Sequence, residues 1–202
     1  MMEDSTMQRD HDRLGEVVEA STAGFTTQCY RLYEAPPLGS LVRSGDDTPI
    51  YGIVHEVATR SMDPARHPIP RGQDQDTEEA VYLSNPQLNR LLLTEFRSIV
   101  VGHQSDGVLR RYVAPLPPRI HSFVYRCPDD ELRTFSGALD FMPAILAAPI
   151  GAPDDVLACF LRQAAASHPE PERFLVQAGK ELAAHLGGQL QRLNNVLRRL
   201  SP

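Results

Sequence analysis

Residues 49–70, PIYGIVHEVATRSMDPARHPIP, combine the strongest strand signal of the sequence with an abrupt change in composition. From Ile50 to Thr59, β-branched and aromatic residues predominate, and apolar side chains occur at both odd and even positions. This pattern is typical of a strand with both faces partly covered. Gly52 would relieve crowding where a strand of a small barrel bends. We therefore predict that the strand lines a small β-barrel and that the polar, Pro-rich loop after it extends from the rim.

Further strands are predicted on both sides of this one. The segments LGEVVEAS and GFTTQCYRLYE favour strands through their Val, Thr, Tyr and Phe residues. Segments 98–104 and 108–114 would form a hairpin, because Ser105-Asp106-Gly107 between them is a strong turn signal. Between the rim loop and this hairpin, Asn85-Pro86 favours the start of a short helix.

The second part of the chain changes character at PLPPR, residues 115–119, where three prolines form a stiff segment. After one more extended piece, IHSFVYRC, the pattern becomes helical. Carboxylates at Asp129-Asp130-Glu131 and Asp154-Asp155 fall where helices are predicted to begin, and the helix dipole explains them without catalysis. The terminal helix is predicted to be long and amphipathic, and Gly187-Gly188 would weaken or kink it.

Leucines repeat along this terminal helix at steps of three or four residues: Leu182, Leu186, Leu190, Leu193, Leu197 and Leu200. The spacing has two interpretations, the core of a helical bundle or a seam for self-association. The second interpretation makes these leucines the predicted oligomerisation residues.

Strands followed by helices indicate the α+β class. We predict a small antiparallel or mixed β-barrel followed by a mainly helical C-terminal region. The expected organisation is a disordered leader at residues 1–12, the barrel domain at 13–126 and the helical region at 127–202.

The composition argues against several classes of function. A net charge of −6 opposes broad binding to nucleic acids or membrane surfaces, which requires a basic field. The three cysteines, Cys29, Cys127 and Cys159, lack the spacing of a disulfide framework or a zinc site, so a cytoplasmic location is expected. No apolar stretch is long enough to span a membrane.

No motif for nucleotide binding, metalloprotease activity or serine hydrolysis occurs in the sequence. His55 and Glu56 are adjacent on a strand and would point to opposite faces, which disfavours a metal site. Cys29 has no local base and is expected to be a buried structural thiol. We therefore predict no catalytic residue, no metal and no cofactor.

Several segments together resemble a HAS-barrel, the domain at the N-terminus of HerA-type hexameric DNA translocases and, more distantly, of ATP synthase subunits. The similarity covers about residues 13–126, in RLGEVVEAS, FTTQCYRLYEAPPLGSLV, IYGIVHEVATRSMDPARHP, NPQLNRLLLTEFRSIVVGH and YVAPLPPRIHSFVY. Its most specific parts are YGIV followed by D-P-x-R, and N-P-x-L with the later T-E-F and V-G-H. This sequence departs from the HerA type because helical residues, and no P-loop ATPase, follow the barrel.

The resemblance implies a non-catalytic oligomerisation or docking module, since the barrel of that family forms a collar and docks partners such as the NurA-type nuclease. We expect a homo-oligomer, or assembly with a HerA-type ATPase or nuclease. The rim loop would contact the partner through Asp63, Arg66, His67 and Arg71.

Two alternatives from other classes remain open. The chain could be an accessory subunit that contacts DNA through Arg110, Arg111, Arg198 and Arg199, although its acidic charge weighs against this. It could also be an enzyme with a site at the barrel mouth around His55 and His103, which requires the two imidazoles to lie within reach of each other.

Overall fold

The computed structural model describes residues 13–200 of the chain. The predicted leader at residues 1–12 lies outside the described residues. Seven strands come first, interrupted by two short helices: β1 Arg13–Ala20, β2 Gly24–Cys29, β3 Leu41–Ser44, β4 Ile50–Ser61, α1 Glu78–Ser84, α2 Leu88–Leu91, β5 Leu92–Ser105, β6 Val108–Arg110 and β7 Phe123–Arg126. Five helices complete the fold: α3 Asp129–Ser136, α4 Met142–Leu146, α5 Pro153–Ser167, α6 Pro171–His185 and α7 Leu190–Leu200. The α+β class is confirmed.

The seven strands form one sheet, and every pairing in it is antiparallel. The order is β2-β1-β7-β3-β4-β5-β6, and β2 also pairs with β5. Six strands therefore form a closed circuit of pairings, and β6 is attached to β5 outside it. The predicted hairpin at Asp106-Gly107 is present, with both residues in the left-handed region at φ of 52° and 74°.

The strands of the circuit enclose a hydrophobic cluster of their own. Its members include Val17, Phe25, Val54, Phe96 and Val124, all almost fully buried. Gly52 is required there, because a Cβ at this position would lie 2.8 Å from the Phe25 ring and from the Cβ of Ser98. The glycine therefore lets the Phe25 ring fill the space between facing strands.

A second and larger core joins the sheet to the helices. Leu41, Tyr51 and Val101 from the strands pack in one cluster with Phe135 and Phe160 from the helices. The predicted change from strands to helices does occur between β7 and α3, but the two regions share this core. The rings of Tyr51 and Phe135 lie 5.2 Å apart between centroids, within the range of favourable aromatic packing.

The prediction of a single long terminal helix is wrong. The chain forms α6 and α7 instead, separated by a turn at Leu186-Gly187-Gly188. Glycine lowers helix stability, so the break falls where the sequence suggested a kink. None of the helices in the described range 13–200 is both long enough and apolar enough to cross a membrane.

The strands β4 and β5 pair along their full lengths, and the chain between them makes an excursion that contains α1 and α2. We call residues 62–91 the excursion. It corresponds to the predicted rim loop and short helix, with more helix than the sequence suggested. The predicted strand GFTTQCYRLYE is shorter than expected, because β2 ends at Cys29 and residues 30–33 turn.

Candidate docking site

The excursion begins and ends on paired strands. Beyond Val54, the residues of β4 pair with β5 alone within the described chain. Cross-strand pairs fix this register: the hydroxyls of Thr59 and Thr94 lie 2.8 Å apart, and Arg60 forms an ion pair with Glu95. The backbone N–H of Met62 then donates to the carbonyl of Leu91 at 2.8 Å, so the two ends of the excursion are held together.

Local hydrogen bonds define the helix α1 within the excursion. The hydroxyl of Thr77 accepts a hydrogen bond from the backbone N–H of Ala80 at 3.2 Å and caps the first turn. At the other end, the amide of Asn85 donates to the carbonyl of Val81 at 2.9 Å. Pro86 follows at once and prevents the helix from continuing. These bonds define the two ends of α1.

An open groove of about 830 Å³ lies beside α1. We call it the Tyr33–Tyr82 groove, and it is lined by Tyr33, Glu78, Glu79, Tyr82, Leu83, Pro86 and Asn89. The rings of Tyr33 and Tyr82 meet edge to face with centroids 6.1 Å apart, and their hydroxyl groups are hydrogen-bonded. This hydrogen bond, followed by partial burial, raises the pKa of Tyr33 to about 12, so the phenol stays protonated.

Tyr33 adopts a backbone conformation that tyrosine seldom adopts. Its φ is 67°, in the left-handed region, which costs about 1–2 kcal/mol for a residue with a Cβ. The hydroxyl of Thr94 accepts a hydrogen bond from the backbone N–H of Tyr33 at 2.9 Å and holds this conformation. Tyr33 is nevertheless 56% exposed, so a residue in a strained backbone conformation lies at the surface.

The groove is both apolar and acidic. Leu83 is 82% exposed, the highest value for any large apolar side chain in the described range. Neither Glu78 nor Glu79 forms an ion pair with the residues that the structure describes. The groove therefore combines aromatic and aliphatic surface with carboxylates that are free to meet a cation.

The four predicted partner-binding residues are all exposed on the excursion, but they do not form the groove. Asp63 and Arg66 form a local ion pair at 3.2 Å within a tight turn, and His67 follows them. Of the four, Arg71 alone comes near the groove, because its guanidinium donates to the side-chain oxygen of Asn85 at 3.3 Å. The predicted contact loop precedes the groove-lining part of the excursion, and the sequence did not single out Tyr33 and Tyr82, which are far apart along the chain.

The structure corrects the predicted oligomerisation seam. Leu182, Leu186, Leu193 and Leu200 are buried in the core that joins the sheet to the helices, and Leu197 packs partly against it. Among the six leucines, Leu190 alone is largely exposed. Ion pairs hold α7 in place, because Arg192 binds Asp154 at 2.7 Å and Arg199 binds Asp155 at 2.7 Å. The leucines therefore stabilise the chain itself.

The predicted DNA-contacting arginines do not form one surface of free cations. Arg111 donates to the carbonyls of Phe135 and Thr134 at 2.7 and 2.8 Å, at the end of α3. Arg199 is paired with Asp155, as described above. Arg110 and Arg198 are exposed but lie on β6 and α7, and Arg198 bonds the side chain of Asn195.

The two histidines of the enzymatic alternative are not brought together. His103 pairs with Ile50, so His55 lies five residues further along β4, roughly 16 Å away at the rise of a strand. His55 sits at a break in the register between Val54 and Glu56, and burial lowers its pKa. His103 is buried, with Nδ1 lying 3.2 Å from the carbonyl oxygen of Tyr112.

Within the described residues, the thiols and carboxylates offer no other candidate site. Cys29 and Cys127 are buried, and burial followed by the charge of Glu34 raises the pKa of Cys29 to about 11, which opposes a nucleophilic role. Across residues 13–200, no group of three or more histidine, cysteine, aspartate or glutamate side chains is placed to hold a metal ion. No family model matches the sequence, and no curated protein matches it either.

Proposed function

We propose that this chain is a non-catalytic docking module, similar to a HAS-barrel, that binds another protein through the Tyr33–Tyr82 groove. The observation that carries the proposal is Tyr33, an exposed aromatic residue held in a strained conformation at the edge of an apolar groove. Strain of this kind is retained where surrounding structure enforces it, often at sites of binding.

The closed circuit of six antiparallel strands supports the barrel interpretation. Closure pairs both edges of a sheet, and the enclosed space of a barrel this small is filled by side chains. Val17, Phe25 and Phe96 occupy that space and leave the circuit as a rigid support. Function then belongs to segments attached to its rim, of which the excursion is the longest.

We keep the expected docking function, but we no longer propose that the leucines of α6 and α7 mediate self-association. A HerA-type ATPase or nuclease is the class of partner that the resemblance implies, and a cytoplasmic location is consistent with it. Self-association, if it occurs, would require a surface other than α6 and α7, because their leucines are already buried.

Site-specific photo-crosslinking in the native host tests the proposal. A photoreactive phenylalanine analogue replaces Leu83 in the groove or, as a control, Val176, which is exposed on α6. We expect one protein to crosslink from position 83 and not from position 176. The purified partner should then bind the unmodified chain at least tenfold more tightly than the Leu83→Asp variant in a calorimetric titration. Equal crosslinking from both positions, or unchanged affinity of the variant, would contradict the proposal.

A further inference from the structure

We infer that the Tyr33–Tyr82 groove receives a cationic segment of the partner protein, in which a lysine or arginine is flanked by large apolar side chains. The inference rests on the proposed docking function and adds the chemistry of the occupant. It is carried by the distribution of charge and apolar surface around α1.

The charge of this part of the excursion has one sign. Between residues 72 and 89, the sequence contains Asp74, Asp76, Glu78 and Glu79 and no lysine, arginine or histidine. All four carboxylates are exposed, and none forms an ion pair with a residue in the described range. On the N-terminal side of this stretch, Arg66 pairs with Asp63 and Arg71 donates to the neutral side chain of Asn85, and Arg90 follows the stretch on its C-terminal side.

This arrangement selects against an acidic occupant. A carboxylate or phosphate entering the groove would meet Glu78 and Glu79, neither of which is paired with a cation in the described range, and the chain as a whole carries a net charge of −6. A lysine or arginine would instead gain ion pairs with carboxylates that have no competing partner in the described chain.

The floor and walls of the groove suit the apolar part of such a segment. Leu83 presents almost its whole side chain, and Tyr33 and Tyr82 add two aromatic rings. An aromatic face attracts a lysine ammonium or an arginine guanidinium and also covers the methylene groups of their stems. The volume of about 830 Å³ accommodates several side chains of one short segment.

The groove is formed before any partner binds. Thr94 holds Tyr33, Thr77 and Asn85 cap α1, and the strand pair β4–β5 fixes the ends of the excursion. A preformed groove recognises its occupant with little ordering of its own side chains, so specificity is set by charge and shape.

Peptide selection tests the inference directly. A phage library of random 16-residue peptides is selected on the purified full chain, and the bound population is sequenced. We expect enrichment of lysine or arginine next to leucine, isoleucine or aromatic residues. The most enriched peptide is then synthesised with a fluorophore, and its affinity is measured by anisotropy against the chain and its variants.

The variants distinguish the contribution of the groove's charge to binding from a general effect on folding. Glu78→Gln combined with Glu79→Gln should weaken binding about tenfold at low salt, and 0.5 M salt should abolish most of that difference, because such pairs are screened. Leu83→Asp should weaken binding more than tenfold. The controls Glu172→Gln and Val176→Asp change an exposed carboxylate and an exposed apolar residue on α6, and they should leave the affinity within twofold.

Several results would overturn the inference. The inference of a cationic occupant is refuted if the selection yields no binders or only binders without basic residues. It is also refuted if the double glutamine variant binds with unchanged affinity. Concentration-dependent self-association of the chain that Leu83→Asp abolishes would assign the groove to a second copy instead. A protein that crosslinks from position 83 through a segment without basic residues would refute the inference while leaving the docking function intact.

Discussion

The sequence predicted partner contacts for both the excursion and the pair of helices α6–α7, and both segments contain large apolar side chains. The structure uses them in opposite ways. Leu182 and Leu200 are buried in the core, whereas Leu83 is 82% exposed and Tyr33 is displayed at the surface. Apolar residues in the sequence therefore do not by themselves distinguish a core element from an exposed segment.

The polar residues around each segment make the distinction. In α7, Arg192 donates both to Asp154 and to the carbonyl of Leu146, which ties the helix to α4 and α5. In the excursion, Glu78 and Glu79 have no ion-pair partner among the described residues. The contrast is between Arg192, whose charge is paired beside buried leucines, and the two glutamates, whose charges are unpaired beside the exposed Leu83.

Truncating one leucine in each environment gives the largest expected effect. Leu182→Ala should lower the free energy of unfolding by about 3 kcal/mol, because it removes a fully buried side chain and leaves a cavity. Leu83→Ala and Leu190→Ala, at exposed positions, should each stay within about 0.5 kcal/mol of the parent chain. Urea denaturation followed by circular dichroism measures all three. Similar decreases in the free energy of unfolding for Leu182→Ala and Leu83→Ala would contradict the proposed difference between the two regions.

The second prediction concerns the strain at Tyr33. Asparagine tolerates the left-handed region better than tyrosine, so Tyr33→Asn should leave the free energy of unfolding within about 1 kcal/mol of the parent chain while binding of the crosslinked partner falls more than tenfold. Urea denaturation and calorimetric titration measure the two quantities. Tyr33→Phe is the matched control, because it keeps the ring and removes only the hydroxyl contact with Tyr82. A loss of stability above about 2 kcal/mol in the asparagine variant would make Tyr33 a structural residue like Leu182.

The smallest effect is a dependence of stability on pH that involves one histidine on the strand leading into the excursion and one just before α6. Burial lowers the pKa of His55 in β4 and, together with the charge of Arg133, that of His168 after α5. The unfolded chain therefore binds more protons than the folded chain below about pH 6.5, so stability is complete above this pH and falls as the pH decreases through it. Thermal unfolding between pH 7.5 and 5 should reveal the fall, and His55→Gln and His168→Gln should each reduce it. A flat profile for the parent chain would contradict this assignment.

Patterns formed by residues that are close together in the sequence predicted much of the fold. The strand β4, the turn at Asp106-Gly107 and the carboxylates in the first turns of α3 and α5 are present. The patterns did not predict the Tyr33–Tyr82 groove, because its two rings lie on segments far apart in the chain. They meet only once β2 and β4 have both paired with β5. Nor could the patterns place the leucines, since the same periodicity serves a core and a seam.

The position of β7 has a consequence for biosynthesis. This strand is the last in the chain, yet it lies between β1 and β3, two of the first to be made. While the ribosome is still adding residues 13–122, the early strands carry open hydrogen-bonding edges that only β7 can occupy. A chain that ends before Phe123 would therefore leave unpaired strand edges on β1 and β3, which can pair with other chains.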